Sequence, residues 1–378
     1  MENTDLLTSG SLRDENAKAL TYRVRGIPNG LDRAGAKSLL LVALEIQDVT
    51  IDSLAAASSK QVAYNQNSRE ALEAQGCVAI SGLGCHAFGS WKDRDSDHMW
   101  LKDALPEELP GARVMIYGYD SKLAESTSFQ NLGDVASRFR ESLQVHLGKR
   151  ASGRPLVFIA HSLGGLVLKQ AMVQMASGDA ADLENLKATF VMIFFGVPNQ
   201  EMYIRSLLAM VRGQSNLPSL ATLDKNNGSL HELVERFRAV FDFRDSYVIS
   251  FFETRESPTA RLDEGIWSMT GDPAILVDRY SAQSGRRSED NPSCLHPINC
   301  SHSALVKFSE HDEDCEVVLG KLKRFAELAP AFIKVRCNDD VAAKPNPFAK
   351  QAFTKSTPNL ALDPPASNLQ LLGSSLPS

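Results

Sequence analysis

The sequence predicts an α/β fold: a mostly parallel sheet with helices on both faces. Three observations predict it. From Cys77 onward, short apolar runs alternate with one-sided helical stripes. Several of those runs are continuous in Val, Ile and Phe, which suits strands covered on both faces. Residues 156–165, LVFIAHSLGG, join one such run to a helical stretch through a single serine with small residues on either side.

The N-terminal residues are read as a small module. TYRVRGIP, Thr21 to Pro28, alternates like a strand; AKSLLLVAL is an apolar helical run, and VTIDSLA a second strand. This strand–helix–strand unit, behind a polar leader, is assigned to residues 1–68. Residues 61–75 are polar and read as a linker leading into a short helix. The main domain is assigned to residues 69–335. Its first strand is CVAISG, followed by a helix MWLKDAL and a strand ARVMIYGYD. Leu132, Val135, Phe139, Leu143 and Leu147 then form one helical stripe. LVFIA precedes the helix after Leu163, and TFVMIFFG, YVISFFE and AILVDRY supply three further strands. Between Gly196 and Ser246 amphipathic segments such as MYIRSLLAMV replace strands, and they read as a small helical cap. After Pro330 the pattern ends. Residues 336–378, rich in Pro, Ser and Asn, are expected to be a disordered tail.

Composition excludes several function classes. The 378 residues carry 43% hydrophobic and 23% charged residues and a net charge of -6, the opposite of a nucleic-acid footprint. Six cysteines in a chain of this length are read as reduced thiols, not as a disulfide framework. The start, MENTDLLTSGSLRDENAK, has no apolar core and carries acidic residues, so neither a secretory signal nor a mitochondrial transit peptide is expected. No apolar run reaches the roughly 20 residues of a transmembrane segment. A cytoplasmic protein is expected.

The serine defines the chemistry. Ala160-His161-Ser162-Leu163-Gly164 fits the small-x-Ser-x-Gly pattern of a nucleophile elbow, where a sharp strand-to-helix turn lifts the hydroxyl off the sheet. The helix start offers free N–H groups for negative charge, so the Leu163 N–H is one candidate oxyanion donor. The second is Leu83 in Ser81-Gly82-Leu83-Gly84, the loop after the first strand of the domain. A serine needs a base and the base an orienting acid, in the chain order Ser, acid, His. His302, after the last strand, is the candidate base. Glu253, ending YVISFFE, is the preferred acid, and Asp278, ending AILVD, the alternative. His161 is read as a structural residue flanking the elbow, and His86 and His98 as loop histidines.

Two other motifs carry less. Cys294, His296, Cys300 and His302 form a C-x-H-x3-C-x-H string, but the spacing matches no common zinc site. Gly82, Gly84 and Gly89 lack the G-K-[ST] continuation of a phosphate loop. No metal and no cofactor are expected.

Beyond single motifs, CVAISGLGCHAFGSW, MWLKDALPEELPGARVMIYGYDS, VFIAHSLGGLVLKQA, FFGVPNQ, SFFETRESPTA and HSALVKFSE occur in order. Together, over roughly residues 77–328, they resemble a fungal family of α/β-hydrolase domains. That family is related to serine-active-site-containing lipase-like proteins and to GPI inositol-deacylase-like lipases. Its domain often precedes NTPase and repeat modules in immune-receptor-like proteins. The resemblance implies a lipase or esterase acting on lipid or acyl esters. It also leaves open peripheral association with mitochondrial or endoplasmic-reticulum membranes. The triad chemistry alone equally allows a thioesterase or a peptidase. The rival class is a binding or signalling module that keeps the hydrolase fold with little turnover.

Overall fold

The strands form where β-branched and aromatic residues run without interruption, and the turns between them fall at Gly, Pro and Asp. The structure, a computed structural model, describes residues 35, 37–38, 41, 61–63, 76–84, 87–110, 112–121, 123, 128–147, 154–221, 223, 228–283 and 292–338. The chain divides into two units, Met1–Val341 and Ala342–Ser378, and every described residue belongs to the first.

In chain order the elements are β1 (Gln61–Ala63), β2 (Gly76–Ile80), α1 (Leu105–Glu108), β3 (Arg113–Tyr117), α2 (Leu132–Leu147), β4 (Leu156–His161), α3 (Leu163–Met175), α4 (Ala180–Ala188) and β5 (Thr189–Phe195). There follow α5 (Arg205–Met210), α6 (Leu217–Ala221), α7 (Ser229–Val240), β6 (Tyr247–Glu253), β7 (Ser257–Asp263), β8 (Ile266–Ala274), α8 (Arg279–Ala282), β9 (Leu295–Ile298) and α9 (Glu313–Asn338). Seven strands form one sheet in the order β1-β3-β2-β4-β5-β6-β9. β1 is antiparallel to β3, and the remaining pairs are parallel. β2 leads on to β3 on one side and its neighbour β4 leads on to β5 on the other, so the connections from these two strands run in opposite directions. Such a switch point opens a crevice at the carboxyl ends of the strands.

The central strands are buried along their whole length, because both faces are covered. In β4, Phe158 and Ala160 point into one core with Phe139, Met172, Phe194 and Phe237, on the side of α2, α3 and α7. Val157 and Ile159 point into the other, with Trp91, Trp100, Leu105, Phe195 and Leu322, on the side of α1 and α9. This alternation is the period-two pattern of a pleated strand. Together, sheet, helical layers and strand–serine–helix turn form an α/β-hydrolase fold.

Several sequence readings need correction. AILVDRY is not a strand: β8 ends at Ala274, and Asp278 caps α8 by accepting from the Ser281 N–H at 2.7 Å. Val277 imitates a strand residue because it fills the core. The last parallel strand is instead LHPI, whose His and Pro disguise a short edge strand. Gln61–Ala63, read as linker, pairs with β3 at the other edge. β7 and β8 form an antiparallel hairpin that was not foreseen. Its tip, Glu264 (φ 51°) and Gly265 (φ 84°), has the two positive φ values of a type I′ turn. Residues 100–104 form turns, and the helix begins only at Leu105. α9 runs through Pro330 to Asn338, where the reading ended the pattern at Pro330; buried Ala329 and Ile333 hold that face to the core.

Of the N-terminal module only Gly35, Lys37, Ser38 and Leu41 are described besides β1, and all four are helical, as the apolar run 36–44 predicts. The strands expected at 21–28 and 49–55 and the tail from 339 lie outside the described residues. Among the described residues no helix is long and apolar enough to cross a membrane.

Phe158 is wholly buried at the centre of the sheet. Phe158→Ala is expected to cost about 3–5 kcal/mol, read as a lower urea midpoint with an unchanged m-value.

Candidate active site

Strand register assembles the site. Ile80 pairs with Ala160, His161 with Phe195, and Phe195 with Phe251. The residues that follow β2, β4, β5 and β6 therefore meet at one edge of the sheet. There Ser162 turns the chain from β4 into α3 with φ 51° and ψ -126°. This left-handed conformation is one a non-glycine residue adopts only when its surroundings force it. The surroundings are tight. A Cβ at Gly164 would lie 2.5 Å from the Ser81 carbonyl oxygen, so only glycine lets α3 start this close to the β2 loop. Gly196, after β5, has φ 53°, and a Cβ there would lie 2.7 Å from His302 Cε1.

Ser162, Glu253 and His302 are all buried. Glu253 ends β6, and His302 opens a single 3-10 turn (His302–Ala304) shortly after β9. His302 Nδ1 lies 3.0 Å from Glu253 Oε1. The same oxygen accepts the Val277 N–H at 2.7 Å. A carboxylate only accepts, so the neutral imidazole carries its proton on Nδ1 and presents a bare Nε2. That Nε2 is buried without a hydrogen-bond partner. Asp278, committed to its helix cap, is not part of this pair.

His302 is held at its backbone as well. The His302 N–H donates to Ser257 Oγ at 2.9 Å, and the His302 carbonyl lies 3.0 Å from His161 Nε2. Behind the turn, Trp100 Nε1 donates to the Val306 carbonyl at 3.1 Å and Lys307 Nζ to the Gly89 carbonyl at 2.7 Å. The segment after β2 thus braces the histidine loop. Asn199 ties the β5 loop to α8. Its N–H donates to the Ser281 carbonyl at 2.8 Å, and its Nδ2 to the carbonyls of Val197 and Ala282. Its Oδ1 accepts from Lys169 Nζ, which is fully buried and faces the rings of Phe194 and Phe237 at 4.9 and 5.3 Å. A lysine inside the apolar run LGGLVLKQAMVQM was the available signal for this contact, and the sequence reading passed over it.

Leu83 and Leu163 both line a cavity of about 60 Å³. Tyr119, Val135 and Val167 form further walls, and Asn216 and Leu220 close it from the excursion between β5 and β6. Leu163 is the first residue of α3, where N–H groups have no intrahelical acceptor. The Cys294–His302 string does not gather: His296 Nε2 donates to the Ser293 carbonyl at 2.7 Å, and His302 is taken up by Glu253. His98 lies 3.9 Å from Asp103. His86 lies outside the described residues.

A serine elbow beside a buried acid–histidine pair, at the carboxyl edge of a parallel sheet, is the site geometry of the α/β-hydrolase class. Against models of known protein families the chain gives no match. Among curated proteins it is similar to Protein SERAC1 of Danio rerio, with 27% identity over 197 residues, 46% of this chain and 30% of that protein. Protein SERAC1 of Homo sapiens is 26% identical over 194 residues, 46% of this chain and 29% of that protein. The chain spans about 30% of the length of these curated relatives. Among solved structures, phospholipase PlaB from Legionella pneumophila is similar with a TM-score of 0.47 and 12% identity, over 70% of this chain and 62% of that one. Bacillus licheniformis lipase BlEst2 in mature form gives 0.41 and 14%, over 70% and 97%.

His161 is a second titrating group at the elbow. Burial, then the nearby His302 charge, push its pKa down to about 3, against the pull of the bond to the His302 carbonyl. Below the unfolded value of about 6.5 the unfolded chain binds a proton that the fold refuses, so stability is full above that value and falls as pH drops towards 3. His161→Gln is expected to flatten this decline. Urea midpoints followed from about pH 7 down to about pH 4 should fall in parallel for wild type and variant if the decline comes from other groups.

Proposed function

We propose that the chain is a serine hydrolase that cleaves carboxylic esters, lipid or acyl, through an acyl-enzyme intermediate. One observation carries the reading. A buried carboxylate fixes the tautomer of a buried histidine whose free nitrogen faces no other partner, at the same sheet edge as a strained serine turn.

In this mechanism Ser162 Oγ attacks the ester carbonyl carbon while its proton passes to His302 Nε2. The N–H groups of Leu83 and Leu163 hold the oxyanion, a contribution of about 3–4 kcal/mol per donor. Glu253 orients the imidazole and stabilises the imidazolium. As the tetrahedral adduct collapses, Nε2 returns the proton to the leaving alkoxide. Water then attacks the acyl-serine by the same route and releases the acid. The apolar walls of the cavity beside Leu83 and Leu163 suit the acyl group, with Leu220 of α6 as a lid element.

The test is labelling with a fluorophosphonate probe and hydrolysis of p-nitrophenyl esters. Wild type should label, and Ser162→Ala should stay folded, fail to label and lose esterase activity. His302→Ala should cost about as much, because such residues act as a unit. A Ser162→Ala variant that hydrolyses the esters at the wild-type rate would sink the assignment. Absence of labelling in the wild type would favour a binding module.

The acid is tested separately. Glu253→Gln should keep shape, lose charge and lower kcat by about 10⁴, with little change in Tm. Asp278→Asn should mainly lower Tm through the weakened α8 cap. The reverse pattern would move the acid to Asp278. For the cavity, Leu220→Ala should shift preference towards longer acyl chains while sparing an acetyl ester; equal changes on short and long esters would make α6 ordinary packing.

A further inference from the structure

We propose that His161 is a positioning residue: its Nε2–H holds the His302 carbonyl and so sets the distance between nucleophile and base. This rests on the triad proposed above and adds to it a residue that the serine motif leaves unspecified.

The geometry begins with chain adjacency. His161 is the last residue of β4 and Ser162 the next, so the histidine shares the peptide that bears the nucleophile. Its ring is buried and lies 4.9 Å from the His302 ring. Nε2 is 3.0 Å from the His302 carbonyl oxygen, which can only accept, so Nε2 carries the proton. His302 itself sits on a single 3-10 turn, an element too short to fix a side chain by its own hydrogen bonds. Its place is set by three contacts from three elements: Glu253 at the end of β6, Ser257 at the start of β7, and His161 at the end of β4. Only the last joins the base to the segment that carries Ser162.

The residue type matters. Glu253 contacts His302, the field of Lys307 reaches His161, and Arg94 donates to Ser303 Oγ beside His302. Burial and the charge of Lys307 keep His161 neutral, and the charge His302 gains on taking the Ser162 proton reinforces this, so that proton has one home, His302. A neutral donor can hold the carbonyl through the whole cycle. Lysine or arginine in its place would add a charge repelling the imidazolium.

The experiment compares wild type with His161→Met, which has no donor, and His161→Gln, whose amide nitrogen reaches the Nε2 position. For each, kcat and KM on a p-nitrophenyl ester are measured across pH, with fluorophosphonate labelling rate and Tm in parallel. The methionine variant should lose about 10²-fold in kcat with little change in KM, as expected for a misplaced base. The glutamine variant should recover most of the rate.

A methionine variant with wild-type kcat overturns the proposal, as does a glutamine variant no faster than methionine at equal Tm. If the methionine variant does not fold, His161→Asn replaces it. Its nitrogen stops short, at the Nδ1 position, so glutamine should exceed asparagine in kcat, and equality overturns the proposal. A wild type that labels at Ser162 beside indifferent variants removes this inference alone. A wild type that never labels removes both it and the triad.

Discussion

The site depends on how closely three backbone segments approach one another at the carboxyl edge of the sheet. The β2 loop, the β4–α3 turn and the β5 loop lie side by side because their strands pair in register. A Cβ at Gly82 would come within 2.9 Å of the Ser162 Cβ, and one at Gly164 within 2.5 Å of the Ser81 carbonyl oxygen. At that spacing the turn has one conformation available, the left-handed one seen at Ser162. Strain of about 1–3 kcal/mol in such a turn persists only when the surroundings over-determine it. Here they do so twice. The Ser162 N–H donates to the Phe195 carbonyl at 2.9 Å, and the Gly196 N–H donates to the Phe251 carbonyl at 2.8 Å. The ladder is thus carried one residue past each strand end, and the serine is held where the sheet stops.

The elbow was legible because its requirements are local. Small residues at positions 160 and 164, an apolar run before and a helix after are all visible within ten residues of sequence. Glu253 and His302 were legible by a different route, chain order and position at a strand end, and the structure brings their side chains to 3.0 Å. The same reasoning failed for Asp278. Ile275, Leu276 and Val277 look like strand residues, yet Val277 serves as a core plug whose N–H supports Glu253. Local pattern cannot separate a buried loop from a short strand when both need apolar side chains.

What stayed hidden depends on partners distant in sequence. β9 is four residues with a histidine and a proline, and it is a strand only because the edge of β6 is there to pair with. β1 is only three residues, Gln-Val-Ala, too short to show a strand pattern, and it pairs with β3. The β7–β8 hairpin has weak alternation, but its Glu264-Gly265 tip was a readable turn signal. Ser257 and His161 are plain in the sequence, one inside SFFETRESPTA and one beside Ser162. Nothing in the sequence says that both close on the backbone of His302.

Polar groups buried without partners concentrate in this cluster. His161 Nδ1, Glu253 Oε2 and His302 Nε2 are buried and unpartnered, within one connected set of side chains. Each such atom costs about 1–3 kcal/mol relative to a satisfied one. The fold tolerates them because each residue is anchored at its other end: His161 by Nε2, Glu253 by Oε1, His302 by Nδ1 and its backbone. One end fixed and one end open is the arrangement general-base chemistry needs, since a base already satisfied at Nε2 could not take a proton. In the proposed mechanism the stability forgone at His302 Nε2 is what leaves it available to Ser162, and the contacts to Glu253, Ser257 and His161 keep that open valence in one place.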